Sequence, residues 1–157
     1  GDVFVFLFFG LIGVAGTDYL LSGVFHWSAV LPAYTVGAFS TAVLNLNNLR
    51  DHKNDKLHGK NTLVVKLGLE KAKQFHFFLI VSGMTSLAVF LYLSPIVLWF
   101  ALPVFLIPTT LGRHLNQVKQ TKNEQLLDPE LKKVALTAFG TFLALFIFQL
   151  ISAYELF

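Results

Sequence analysis

Oxygen-bearing and cationic side chains crowd into one stretch, Asn45-Leu46-Asn47-Asn48-Leu49-Arg50-Asp51-His52-Lys53-Asn54-Asp55, which continues through Lys56, His58 and Lys60 to Asn61-Thr62-Leu63. Asn47, Asp51 and Asp55 recur every fourth residue, so a helix through them projects the three oxygens from one face, each about 6 Å further along the axis. Such a ladder suits a hard cation. Magnesium takes carboxylate oxygens at about 2.0 to 2.1 Å, keeps several waters and commonly completes its shell with phosphate. Asn47, Asp51 and Asp55 are therefore the candidate metal ligands, with Asp51 and Asp55 the candidate catalytic pair. Arg50, Lys53, Lys56, Lys60 and Lys66 would supply the cations a diphosphate needs, Arg50 by a bidentate grip and the lysines as point charges. Spacing alone leaves a second reading level with this one, in which a membrane helix ends in charged groups that merely pair at the surface.

The elements that must position this stretch are apolar. Hydrophobic residues make up 55% of the 157, charged residues only 13%, and mean hydropathy is +0.65, which places the chain among membrane proteins. Five segments, 3–21, 27–46, 75–93, 96–111 and 134–153, are each expected to cross a bilayer as a helix, joined by polar connections over 47–74 and 112–133. Ser94-Pro95 and Asp128-Pro129-Glu130 provide start signals for the last two, and Pro103 and Pro108 should kink the fourth. The 12 Lys and Arg residues fall after the second and fourth spans, on the same side, which the positive-inside rule makes the cytoplasm. Tyr19, Trp27, Tyr92, Trp99 and Tyr154 mark the opposite interface. A basic pI near 9.2 thus reflects topology rather than nucleic-acid binding.

Other features are expected to be structural. Cysteine is absent, which removes thiol chemistry and disulfides. Gly10, Gly13 and Gly16 lack nucleotide-loop spacing and should serve close helix packing, while Asp18 sits near a span's outer end. His26, His52, His58, His76 and His114 show no zinc-site spacing and are expected at the membrane interface. Residues 62–68 form a short apolar segment suited to a lid at headgroup level, and 113–133 an amphipathic connection.

The run Asn47-Asn48-Leu49-Arg50-Asp51 through Asp55, followed by Gly59-Lys60-Asn61-Thr62-Leu63-Val64-Val65-Lys66-Leu67-Gly68, resembles the second aspartate-rich motif of the UbiA prenyltransferase superfamily, nearest to its menaquinone branch. The resemblance runs from Gly1 to the last span. It implies an all-α bundle of nine transmembrane helices of which these are the last five, in a bacterial cytoplasmic membrane with the aspartates on the cytoplasmic side. It also implies transfer of a prenyl group from a polyprenyl diphosphate to an aromatic acceptor, 1,4-dihydroxy-2-naphthoate, with Mg2+ as cofactor. Carried over by position, Asn47, Asp51 and Asp55 hold metal and diphosphate, while Arg50, Lys53 and Lys60 contact phosphate. A first Asn/Asp-rich motif, on helices preceding Gly1, is expected to face them, so this stretch alone should be inactive. A competing class is half of an ion or substrate transporter, but its cation site would lie near mid-membrane rather than beside lysines.

Overall fold

Long apolar runs without charged breaks have one economical backbone solution in a bilayer, the helix, because it satisfies every N–H and C=O within the segment. The computed structural model describes residues 1–94, 102–121 and 123–154, and among these every regular element is helical. We number them α1 (Asp2–Ser22), α2 (Trp27–Leu57), α3 (Leu63–Leu67), α4 (Leu69–Leu93), α5 (Leu102–Gln120) and α6 (Asp128–Tyr154). A 3-10 turn, Glu124–Leu127, leads into α6. Helices α1, α2 and α4 are long and apolar enough to cross a membrane. Residues 95–101, where the expected fourth span begins, lie outside the described residues; α5 is helical from Leu102, and α6 contains the expected fifth segment.

The polar stretch is not a loop. Helix α2 runs 31 residues, from Trp27 to Leu57, without a break at Leu46. At 1.5 Å per residue it is about 46 Å long, so a hydrocarbon core about 30 Å thick leaves its last three turns outside. Those turns carry Asn47 to Asp55. After Leu57 the chain reverses through Gly59, whose φ of 69° suits a residue without Cβ. Thr62 then caps α3 by accepting a hydrogen bond from the Val65 N–H at 3.2 Å, and Gly68, at φ 78°, turns the chain into α4.

Helix α2 is also the most buried of the three long helices, and the others pack round it. Glycines set the separations. A Cβ on Gly10 of α1 would lie 2.6 Å from the Ala33 carbonyl oxygen and 2.8 Å from the Gly37 Cα, so the two backbones touch. A Cβ on Gly83 of α4 would stand 2.9 Å from the Phe39 ring. Hydroxyls reinforce the second contact: Ser86 donates to the Leu31 carbonyl at 2.9 Å, and Thr35 donates to that of Gly83 at 3.4 Å. On a third side Phe39 meets Phe142 of α6, with ring centres 6.3 Å apart. The core continues through Leu46, Leu49, Val64, Ile80, Leu111, Val118 and Leu127.

The three expected packing glycines of α1 divide. Residues 6–16 form a wide turn with i to i+5 bonding, in which residues five apart lie over one another, and the buried positions are Gly10 and Ala15. Among the described residues, only atoms of their own helix lie near the place a Cβ would take on Gly13 or Gly16, so of the three it is Gly10 that makes the crossing. Its partners Ala33 and Gly37 stand four apart on α2, a spacing of small residues that permits this close approach. Val3, Phe4, Phe8, Phe9, Leu20 and Leu21 of α1, with Leu136, Phe139 and Phe146 of α6, are exposed, an apolar surface suited to acyl chains.

Candidate functional site

Among the described residues, the packing of α2 leaves one of its stripes partly exposed. Ala33, Gly37 and Leu44 face α1; Ala38 faces α4; Phe39 faces α6. Between the α1 and α6 sides, Val36, Ser40, Val43, Asn47, Arg50 and Asp51 recur at intervals of three and four and are all only half-buried. The stripe is largely apolar from Val36 to Val43 and polar towards the C-terminal end of α2.

At that end Arg50 organises the oxygens. Its Nε donates to Asp51 Oδ1 and one Nη to Asp51 Oδ2, each at 2.8 Å, a bidentate fork. The same Nη donates to Asn47 Oδ1 at 2.8 Å, and the other Nη donates to Asp128 Oδ1 of α6, also at 2.8 Å. Two expected ligands, Asn47 and Asp51, are thus brought together by an expected phosphate contact.

Asp55 stands apart. Four residues exceed one helical turn by about 40°, so two such steps carry Asp55 about 80° round the axis from Asn47. It is buried there, 4% exposed, with Oδ1 accepting from Lys60 Nζ at 3.0 Å and its backbone carbonyl from the Lys60 N–H at 2.8 Å. Among the described residues, the buried Asp55 Oδ2 has no hydrogen-bond partner. The Asp51 carboxyl is held below its ordinary range chiefly by its hydrogen bonds from Arg50, with the charges of Arg50 and Lys60 adding to the effect. Lys53 turns away towards Glu124 Oε2, 3.2 Å distant. Burial pushes the Glu124 carboxyl up, but hydrogen bonds from the backbone and Lys53 outweigh it and hold the group below its ordinary range.

Among the described residues no three His, Cys, Asp or Glu side chains converge on a metal-sized space. The chemistry of the donors nevertheless fits a hard cation: an amide oxygen and two carboxylates, one of them with an unpartnered buried oxygen, and no sulfur or imidazole. A cation at Asn47 and Asp51 competes with Arg50 for their oxygens. A cavity of about 600 Å³ lies elsewhere, between α4 and α5, lined by Lys73, His76, Phe77, Leu115 and Lys119; none of the three oxygen donors borders it.

Several groups lie beyond sequence reasoning. Asp128 reads as a helix start, and nothing in its spacing announces a partner 78 positions away. His76 and His114 are not interfacial: they are 0% and 1% exposed, and their Nε2 atoms are 2.8 Å apart. His114 Nδ1 lies 2.7 Å from Glu130 Oε2, and Lys133 donates to Glu130 Oε1. Burial pushes the His114 imidazole down, with Glu130 offsetting part of the effect. A neutral His114 therefore donates from Nδ1 to Glu130 and accepts from His76 at Nε2. The chain of bonds ties α4, α5 and α6 together. Its signal is unreadable in the sequence because the residues are drawn from three separate helices. Of the remaining histidines, His26 pairs with Asp18 at 2.8 Å in an exposed setting, as an interfacial pair should.

The helices and this charged cluster define an integral membrane protein with a polar site at one end of its central helix. The UbiA prenyltransferase family matches residues 1–129, and the chain belongs to that family. It is 43% identical over 99 residues to the 1,4-dihydroxy-2-naphthoate octaprenyltransferase of Escherichia coli, an alignment that covers 63% of this chain and 32% of that protein. The proteins of the same description from Haemophilus influenzae and Mycobacterium leprae are 45% identical over 94 residues and 33% identical over 137. These alignments cover 60% and 87% of this chain, and 29% and 45% of the relatives. The chain thus spans between about a third and under half of the length of the relatives it matches. No solved structure gives a significant match.

Proposed function

We propose that the intact protein transfers a polyprenyl group from its allylic diphosphate to 1,4-dihydroxy-2-naphthoate in menaquinone synthesis, and that this chain contributes the second aspartate motif. The carrying observation is the similarity to three proteins described as 1,4-dihydroxy-2-naphthoate octaprenyltransferases, together with Asn47 and Asp51 at the polar end of a partly exposed, largely apolar stripe. In this reading the six helices supply the last five of nine spans, α3 lying at the membrane surface. The motif faces the cytoplasm of a bacterial inner membrane, and a first motif on preceding helices closes over the stripe.

Each residue then has a task. Asn47, Asp51 and Asp55 hold Mg2+, which when bound supplies the charge that steadies the departing diphosphate. Arg50 and Lys60, released from the carboxylates, take phosphate oxygens; Lys53 reaches the same anion only by leaving Glu124. Val36, Ser40 and Val43 lie along the path of the prenyl tail, keeping water from the allylic carbon until the electron-rich ring attacks it. In the same reading helix α3, between Gly59 and Gly68, covers the diphosphate.

The test is product formation by membranes carrying the intact protein, supplied with a labelled polyprenyl diphosphate, 1,4-dihydroxy-2-naphthoate and magnesium. A prenylated, decarboxylated naphthoquinol that disappears on chelation is expected. Prenylation of a different aromatic acid in preference would overturn the acceptor, and magnesium-coupled ion flux without prenyl transfer would favour the transporter.

A further inference from the structure

One guanidinium occupies three of the oxygens that the proposed metal site needs: both of Asp51 and the amide oxygen of Asn47. Its fourth bond goes to a different helix, to Asp128 in the first turn of α6. These attachments differ in kind. A divalent cation arriving at Asn47 and Asp51 competes for the first three, but it has no claim on Asp128, which sits beyond Arg50 on the α6 side.

Resting on the metal reading above, we propose that Arg50 is a resident counter-ion that masks the metal ligands, and that Asp128 is the positioning residue that retains it when a cation takes its place. In the resting state Arg50 neutralises Asp51 and keeps the carboxylate oriented. As cation and diphosphate enter together, Arg50 gives up Asp51 and Asn47, and the freed Nε and Nη donors turn to the incoming phosphate oxygens. Asp128 keeps the guanidinium within reach throughout. Cation and diphosphate binding are thereby coupled, because each cation bound releases an anion donor and each anion bound removes the competitor from the ligands. Asp128 is 65% exposed at its side chain, which leaves it room to follow the guanidinium.

The coupling is measurable without turnover. Mn2+ binding to the intact, detergent-solubilised protein is followed by electron paramagnetic resonance, with and without inorganic pyrophosphate. In wild type, pyrophosphate tightens Mn2+ binding beyond the effect of their association in solution. Arg50→Gln removes the competitor, so Mn2+ alone should bind about two- to fivefold more tightly, a range set by a partly exposed charge pair, while the pyrophosphate effect is lost. Asp128→Asn should leave Mn2+ binding alone no tighter than wild type yet shrink the pyrophosphate effect, and Asp128→Glu should restore it.

A purely structural tie between α2 and α6 would lower thermal stability in Asp128→Asn and leave the pyrophosphate effect intact, which would overturn the role given to Asp128. Unchanged or weaker Mn2+ binding in Arg50→Gln would overturn the masking. Asp51→Asn and Asp55→Asn separate this failure from that of the metal site itself: if neither alters Mn2+ binding, the ligand assignment falls; if both weaken it while Arg50→Gln does nothing, only the counter-ion mechanism falls.

Discussion

Replacing Gly10 by Ala should loosen the whole bundle on which the site is built, whereas the same change at Gly16 should not. The Gly10 Cβ would lie 2.6 Å from the Ala33 carbonyl oxygen and 2.8 Å from the Gly37 Cα. Carbon-to-oxygen contacts between packed helices settle at about 3.3 to 3.6 Å, so the overlap is about 0.7 Å. Both obstructing atoms are backbone, and no rotamer change relieves them. Overpacking costs about 1 to 3 kcal/mol, and the upper part of that range, about 2 to 3, applies where a helix must move. At Gly16 the nearest atom to a new Cβ is Ile12 Cγ2 at 3.7 Å, an ordinary contact. Any propensity gain from alanine is common to both sites and cancels in the comparison. The two variants should therefore differ by about 2 to 3 kcal/mol, or roughly 30- to 150-fold in their folding equilibria. Unfolding of the intact protein in mixed micelles by a denaturing detergent, followed by far-ultraviolet circular dichroism, measures the difference. Equal stability of the two variants would refute the claim that α1 and α2 touch backbone to backbone at Gly10.

The buried chain His76, His114, Glu130 and Lys133 should matter to stability more than the exposed pairs do. Glu130→Ala leaves a buried imidazole N–H without its acceptor and should cost about 1 to 3 kcal/mol, the usual penalty for an unsatisfied buried donor, whereas Glu70→Ala, which removes an exposed carboxylate paired with Lys73, should cost far less; thermal midpoints compare them. Acid should expose the same group. Burial pushes the Glu130 carboxyl up, but hydrogen bonds from Lys133 and His114 outweigh it, so its folded value lies below the ordinary 4.5. Its contribution is therefore full above that ordinary value and is lost as the pH falls through the lowered folded one. Wild type should lose thermal stability over this acid window more steeply than Glu130→Gln, and parallel profiles would contradict the assignment.

Much of this architecture can be read from residue order because a bilayer enforces it. Runs such as 3–21 and 75–93 have no alternative to helix, and α1 and α4 contain them. The polar half of α2 is harder to delimit, since hydropathy falls at Asn47 while helical hydrogen bonding does not, and the helix continues to Leu57. The four-residue repeat locates Asn47 and Asp51 on a common stripe but overstates Asp55, because the accumulated turn buries it beside Lys60. Pairings across helices are out of its reach. Arg50 with Asp128, and His76 with His114, depend on how α2, α4, α5 and α6 lie against one another, and contacts such as those of Gly83 and Phe142 with Phe39 decide that.

The central claim is that the oxygens on the last turns of α2 carry the prenyl-transfer chemistry. It is tested most directly by single-turnover transfer from a polyprenyl diphosphate to 1,4-dihydroxy-2-naphthoate at saturating magnesium, using the intact protein and its Asp51→Asn and Asp55→Asn variants, with membrane insertion checked in parallel. Both variants should insert normally and transfer about a hundredfold more slowly or worse, the scale on which losing an electrostatic contact to a developing charge is felt. Transfer at the wild-type rate by either inserted variant would contradict the role assigned to that residue, and by both would remove the site from α2.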